Sequence, residues 1–462
     1  MRSARSTRLP ARPISSASCS STLVTASLPA VTLTRRGAAQ SCRPPSQRPV
    51  NHNGQVEPRR APEQGPRREV PITLQRSIQA ILDGGAARGD VAGAVAEIVS
   101  GDEVLCSAAA GVRSRRDEAA GPMTTDTVCW IASMTKAVTG AAAMQLVERG
   151  QLHLDTPAAE ILEHLGTVGV LEAFDEEGGP LVRPARTPIT LRQLLTHTAG
   201  FGYEIWSDNL LHYHRVTGTP TIRTCRRAAL DAPALHDPGE QWLYGTSIDH
   251  VGLVVEAASG MRLGDYLRQH LLDPLGMDST AFGISDDMRA RLAAVHVRGG
   301  DGALSALEFE MDQEPEVQLG GAGLYSTVED YCRFLQMILG RGTRGGVQVL
   351  RPETVDRMVV NNMGTLRVVP LPAAIPGVAG DVEFYPGVEK SWGLTFQINE
   401  EPLPTGRPAG GLMWAGLANS YYWIDMQNQV AGTYISQQFP FGDPRSFGLF
   451  DSIERACYAS FS

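Results

Sequence analysis

Of the 41 basic residues in this 462-residue chain, only Lys136 and Lys390 are lysines; the other 39 are arginines. Arginine stays protonated in proteins, whereas a lysine taken out of water can lose its proton and act as a base. A chain that avoids lysine this strongly is expected to keep it where arginine does not serve. Lys136 stands three residues after Ser133, in Cys129-Trp130-Ile131-Ala132-Ser133-Met134-Thr135-Lys136. The stretch that follows, to Arg149, is rich in Ala, Met, Leu and Val and is closed by Gly150, so it reads as a helix. Spacing of i and i+3 puts the hydroxyl and the amine on one helical face, about one turn apart. The positive end of the helix dipole lies beneath the serine, and apolar surroundings keep water from the amine. Those conditions let a neutral lysine take the serine's proton and turn the hydroxyl into a nucleophile. The bland alternative is an N-cap serine beside a surface lysine.

The elements that must position this pair follow from periodicity. Ile72 to Leu82 has helical spacing and is expected to stop at Gly84-Gly85. Val91 to Ile98 and Val104 to Val112, with Gly101-Asp102 between them, read as a β-hairpin. From Ser133 to about Leu324 helical signals dominate. Thr190 with Gln193 forms a capping box for a helix that ends before Gly200. Ser247 to Ser259 is a helix stopped at Gly260, Leu263 to Leu272 is one ended by Asp273-Pro274, and Val328 to Leu339 is another. After about Val382 short aromatic and β-branched runs return, at Trp392 to Ile398, Leu412 to Met413, Tyr421 to Ile424 and Gln429 to Ile435. Phe447 to Tyr458 closes the chain as a helix. The expected fold is α/β of the α+β kind: one antiparallel sheet shared by the two ends of the chain, flanked by helices, with a mostly helical domain inserted. Residues 1–69 are expected to be a basic, disordered extension, 70–132 and 325–462 the sheet domain, and 133–324 the helical domain, with the site between the last two.

Three motifs in order then carry a family resemblance. Ser133-Met134-Thr135-Lys136 resembles the first motif of the serine β-lactamase and penicillin-binding superfamily. Tyr244-Gly245-Thr246, 111 residues on (244 − 133), resembles the second motif of the class C and esterase branches, where tyrosine replaces the serine of class A. Trp414-Ala415-Gly416 stands in the place of the third motif, which is Lys-Thr-Gly in class C enzymes; this Trp-x-Gly form is similar to the family VIII carboxylesterases and the lovastatin side-chain acyltransferase. Leu194 to Gly200, Leu275-Gly276-Met277 and Gly320 to Thr327 also resemble the family, so the likeness runs from about residue 72 to 460.

The resemblance implies a β-lactamase/DD-peptidase-like fold and an acyl-enzyme on Ser133. Lys136 and Tyr244 would share the base work as one coupled unit; a neighbouring ammonium lowers a phenol's pKa, so either partner could hold the proton first. The amides of Ser133 and Leu417 would receive the oxyanion, and Gly416 would let the strand edge approach the substrate. Trp414 reads equally as a pocket wall or a participant, His197 as a hydrogen-bonded structural histidine, and Cys129 as packing. No G-x-S-x-G elbow occurs, which argues against an α/β-hydrolase.

Trp414 also bears on the substrate. The third-motif lysine of β-lactamases holds the substrate carboxylate by charge. That cation is missing here, and Lys390 is not in the motif. A small uncharged ester fits a tryptophan-walled pocket better, so a serine carboxylesterase is the leading expectation. The alternatives are an acyltransferase using the same acyl-enzyme, a β-lactamase/DD-peptidase-type amide hydrolase, and a non-catalytic self-assembling scaffold.

Composition closes off other classes. Residues 1–68 carry twelve arginines against Glu57 and Glu63, a net of +10, which leaves −19 of the total −9 for the rest (−9 − 10). A body that acidic is a poor partner for nucleic acid. No run of about eighteen apolar residues occurs, so no membrane-spanning helix is expected. The seven cysteines form no C-x-x-C pair, and His212-x-His214 has no carboxylate cluster nearby, so neither a metal nor another cofactor is expected. The Arg/Ser-rich leader resembles a transit peptide, and Thr22 to Leu33 is a poor secretory core, broken by Pro29; the favoured reading is a plain disordered extension or a start placed too far upstream. A cytoplasmic location is favoured, with organelle targeting or export as alternatives, and the oligomeric state is open.

Overall fold

The structure is a computed structural model and describes residues 72–461. The basic extension and the Thr22 to Leu33 stretch lie outside the described residues.

Helix α1 (Ile72–Arg88) runs through Gly84-Gly85 instead of stopping there. The glycine is a packing device: a Cβ on Gly85 would lie 2.6 Å from Leu449 of the C-terminal helix. Strands β1 (Gly93–Ser100) and β2 (Val104–Gly111) form the expected antiparallel hairpin. The end of the chain supplies β3 (Lys390–Trp392), β4 (Gln397–Asn399), β5 (Leu412–Gly416), β6 (Ser420–Asp425) and β7 (Val430–Ser436). They make one seven-stranded sheet in the order β3-β4-β5-β6-β7-β1-β2, antiparallel throughout. The two ends of the chain meet where β1 pairs with β7, from Ala94↔Ser436 to Ser100↔Val430. The run Trp392 to Ile398 is two strands, not one: the chain reverses between Trp392 and Gln397, where Gly393 N–H donates to the Phe396 carbonyl and Thr395 takes φ +83°.

Period-two alternation along β6 sorts its side chains between the faces. Tyr422 turns to α4 (Val328–Leu339), where its ring lies 5.3 Å from that of Tyr331. Tyr421 and Trp423 turn to α5 (Pro444–Ala459), with rings 5.1 and 5.8 Å from Phe450. Between the two ends of the chain come α2 (Thr135–Glu148) and α3 (Ser247–Ser259), packed on each other. The Thr190/Gln193 capping box is present at the start of Leu191–Leu195.

Two departures from the periodicity reading lie in this middle region. Leu263–Leu267 loosens into a π-turn at Arg268–Leu272 and continues into Asp273–Leu275, ending at Gly276 with φ +70°. Pro274 therefore opens a last turn instead of terminating the helix, where a missing N–H is tolerated. A β-hairpin, Gly169–Phe174 with Pro180–Pro184, also occurs among the helices.

Candidate active site

Ser133 is held from two sides before α2 begins. Cys129–Trp130 pairs antiparallel with Tyr325–Ser326. Gln437, just beyond β7, brackets Trp130: its amide oxygen accepts the Trp130 N–H at 3.0 Å and its amide nitrogen donates to the Trp130 carbonyl at 3.0 Å. A 3₁₀ turn, Ala132–Met134, then leads into α2, with Ala132 at φ +45°, a left-handed conformation that costs a non-glycine residue energy and is imposed by its surroundings. Ser133 stays partly accessible on this turn while its neighbours are buried. α2 is buried almost all round, which fits its near-uniform apolar composition and explains how Lys136 reaches 1% exposure.

The Lys136 amine has three near neighbours: Ser133 Oγ at 3.2 Å, Tyr203 Oη at 3.0 Å and the Gly321 carbonyl at 2.7 Å. It also lies 4.7 Å from the Tyr244 ring centroid. Burial pulls its pKa down to about 7, against the opposing pull of Asp249. The Tyr244 phenol stands beside the Ser133 side chain and accepts the indole N–H of Trp414 at 2.9 Å. Burial pushes the Tyr244 phenol up, and its contacts with Ser133 and Trp414 only offset this. The sequence left open which partner holds the proton; in this site the lysine is the group poised near neutrality.

The third strand motif sits as a backstop. β5 packs against the 3₁₀ turn of Ser133, and a Cβ on Gly416 would run into the Ile131 carbonyl oxygen. That approach requires glycine. Leu417 follows directly in the turn to β6, half-buried. Trp414 is buried and is a hydrogen-bond donor to Tyr244, more than a wall. Lys390 stands on edge strand β3, donates to the Val388 carbonyl at 2.6 Å, and lines a small pocket with Trp242, Gln397 and Trp414.

The reading of His197 needs correction. It is fully buried, but neither ring nitrogen has a hydrogen-bond partner among the described residues. It is held by its rings instead, 4.7 Å from Tyr244 and 5.3 Å from Trp392, and burial and Lys136 keep it neutral.

Two further residues at the amine escaped the sequence reading. Tyr203 follows Gly202 in a loop with no periodic signal. Asp249 lies in the first turn of α3, buried there beside His250, a signal that a search for acids on mostly apolar helices would have caught. Burial raises the pKa of both. No group of three or more potential metal ligands occurs among the described residues.

A family model described as beta-lactamase matches residues 78–449. The chain belongs to the beta-lactamase family. Within it, the chain is 32% identical over 371 residues to monacolin J acid methylbutanoyltransferase of Aspergillus terreus, covering 75% of this chain and 86% of that one. It is 28% identical over 370 residues to lovastatin esterase of Penicillium rubens, covering 78% and 91%. Among solved structures, unliganded simvastatin synthase (LovD) from Aspergillus terreus superposes with a TM-score of 0.72 at 29% identity, over 84% of this chain and 99% of that chain. EstCE1, a hydrolase with promiscuous acyltransferase activity, shares the fold with a TM-score of 0.66 at 21% identity, over 84% of this chain and 98% of that one. The fold and the family expected from the three motifs are thus both found, and the relatives divide between acyl transfer and ester hydrolysis.

Proposed function

We propose that the chain is a serine carboxylesterase with acyl-transfer capacity, working through an acyl-enzyme on Ser133. The observation that carries this reading is the 3.2 Å contact between Ser133 Oγ and a buried lysine whose pKa stands at about 7. At neutral pH a large share of Lys136 is free base. The amine takes the proton of Ser133 as Oγ attacks the ester carbonyl, and the amides of Ser133 and Leu417 receive the oxyanion. On collapse the C–O bond breaks, and the proton passes from Lys136 through the Tyr244 hydroxyl to the leaving alkoxide, which departs as an alcohol. Water, or a second alcohol, then attacks the acyl-enzyme by the reverse route.

Trp414 supports an uncharged ester over a β-lactam, because an indole at the third motif offers no cation for a carboxylate. The methylbutanoyltransferase among the relatives supports transfer of the acyl group to an acceptor other than water. The scaffold alternative finds no support, since it leaves a partly accessible Ser133 backed by buried Lys136 and Tyr244 without a purpose.

The test is turnover of p-nitrophenyl butyrate during titration with a fluorophosphonate. Loss of activity should track modification of Ser133 alone. Full activity after complete labelling, or labelling of another serine, contradicts the assignment. Adding butanol separates the two fates of the acyl group: butyl butyrate formed alongside butyrate marks acyl transfer.

A further inference from the structure

The Lys136 amine is tied to Asp249 by two parallel bridges. The Gly321 peptide takes a bond from the amine at its carbonyl (2.7 Å) and gives one to Asp249 Oδ1 through its N–H (2.8 Å). The Tyr203 hydroxyl lies 3.0 Å from the amine and directs its proton to Asp249 Oδ2 across a longer 3.4 Å. Asp249 is fully buried, Lys136 and Tyr203 nearly so. The fit is close: a Cβ on Gly321 would lie 2.5 Å from the Asp249 carboxylate.

Hydrogen-bond direction follows from this arrangement. A neutral amine has two N–H donors and one lone pair. The Gly321 carbonyl can only accept. An ionised carboxylate can only accept too, so Tyr203 gives it its one proton and must in turn accept from the amine. Both N–H groups are then spoken for, and the lone pair is left facing Ser133.

We propose that Asp249 is a positioning residue which, through Tyr203 and the Gly321 peptide, aims the Lys136 lone pair at Ser133 and sets how tightly the amine holds its proton. This rests on the acyl-enzyme reading above. The other groups around the amine are Tyr244, which burial keeps protonated, and His197, kept neutral. Those around Asp249 are Tyr244 again, Cys225, pushed up to about 11 by burial, and adjacent His250, pushed down to about 3. Glu204, a second buried carboxylate that burial pushes up, adjoins Tyr203 and acts on its phenol; Asp249 is the carboxylate whose charge acts on Lys136, and it opposes the effect of burial on the amine.

Asp249→Asn separates this from a merely structural role. The asparagine oxygen must still accept the Gly321 N–H, so its NH₂ faces Tyr203, and the Tyr203 proton is freed to occupy the lysine lone pair. Removing the counter-charge also makes the ammonium harder to form. In the wild type the acid limb of kcat/KM for p-nitrophenyl butyrate should lie near pH 7. In Asp249→Asn it should move down by about one pH unit, and the plateau should fall by about tenfold or more. Tyr203→Phe removes the competing hydroxyl, so the plateau of Asp249→Asn/Tyr203→Phe should be no lower than that of Tyr203→Phe alone. If Asp249→Asn does not fold, Tyr203→Phe alone should still shift the acid limb, since it cuts one bridge and leaves the charge. An acid limb that stays in place or moves up in every folded variant overturns the proposal. Fluorophosphonate-blocked enzyme is run alongside: activity that survives the block refutes the Ser133 reading instead, so the two failures are distinct.

Discussion

Lys136→Arg should lower kcat/KM for p-nitrophenyl butyrate by about 10³- to 10⁴-fold, the upper part of the range a positioned general base contributes. The substitution keeps the positive charge and the hydrogen-bonding capacity, so a purely electrostatic or structural role for Lys136 would survive it in part. What it removes is the ability to accept a proton, because a guanidinium does not deprotonate in a protein. The surroundings add to the loss. Lys136 is 1% exposed, with Ser133, Tyr203 and the Gly321 carbonyl already within 3.2 Å of its amine, and a planar five-donor head does not fit that geometry. Substrate affinity should change far less than kcat, since the amine faces the nucleophile. Steady-state kinetics on a variant whose melting transition matches the wild type decides it, and an activity within about tenfold of wild type removes Lys136 from the base role.

Tyr244→Phe should reduce kcat by about 10²-fold, as expected for losing one proton-transfer partner while the nucleophile and base remain. The phenol stands beside Ser133 and receives the Trp414 N–H at 2.9 Å. Its loss interrupts the path from Lys136 to the leaving oxygen and strands the indole donor in a buried site, which costs about 1–3 kcal/mol. Leaving-group dependence is the diagnostic readout. Nitrophenolate departs without a proton, so an alkyl ester should suffer more than p-nitrophenyl butyrate. Trp414→Phe keeps the phenol and should cost less than Tyr244→Phe on both substrates. Equal losses on aryl and alkyl esters would contradict a proton-transfer role for Tyr244.

Much of the scaffold was legible because strong local signals agree with the global fold. The turn at Gly101-Asp102, the Thr190/Gln193 capping box and the Gly260 stop are local chemistry, and the structure has each of them. The failures have a common cause in tertiary contact. Gly84-Gly85 reads as a helix end, yet the pair lies inside α1 because Leu449 needs the space. Trp392 to Ile398 has one continuous β composition, and only the closing of β3 onto β4 breaks it into two strands. Asp273-Pro274 reads as a terminator, which the π-turn ahead of it disarms.

The site divides in the same way. Ser133 and Lys136 are three residues apart, so helical spacing alone brings them together. Tyr244 and Trp414 were reached through motif likeness, and nothing in their spacing foretold the hydrogen bond between them. Tyr203 and Asp249 converge on the amine from separate segments, at sequence distances of 67 from Lys136 and 46 from each other. No one-dimensional pattern carries such a meeting. His197 shows the converse error: buried histidines usually find hydrogen-bond partners, but this one is held by aromatic faces.

The most direct measurement is rapid acid quench of the enzyme during turnover of p-nitrophenyl butyrate, followed by peptide mass spectrometry. A butyryl group on the peptide that contains Ser133, appearing within one turnover and declining as butyrate or a butyrate ester accumulates, is the predicted result. Turnover with no acyl adduct at any quench time under conditions that slow deacylation, or an adduct confined to a different residue, contradicts it.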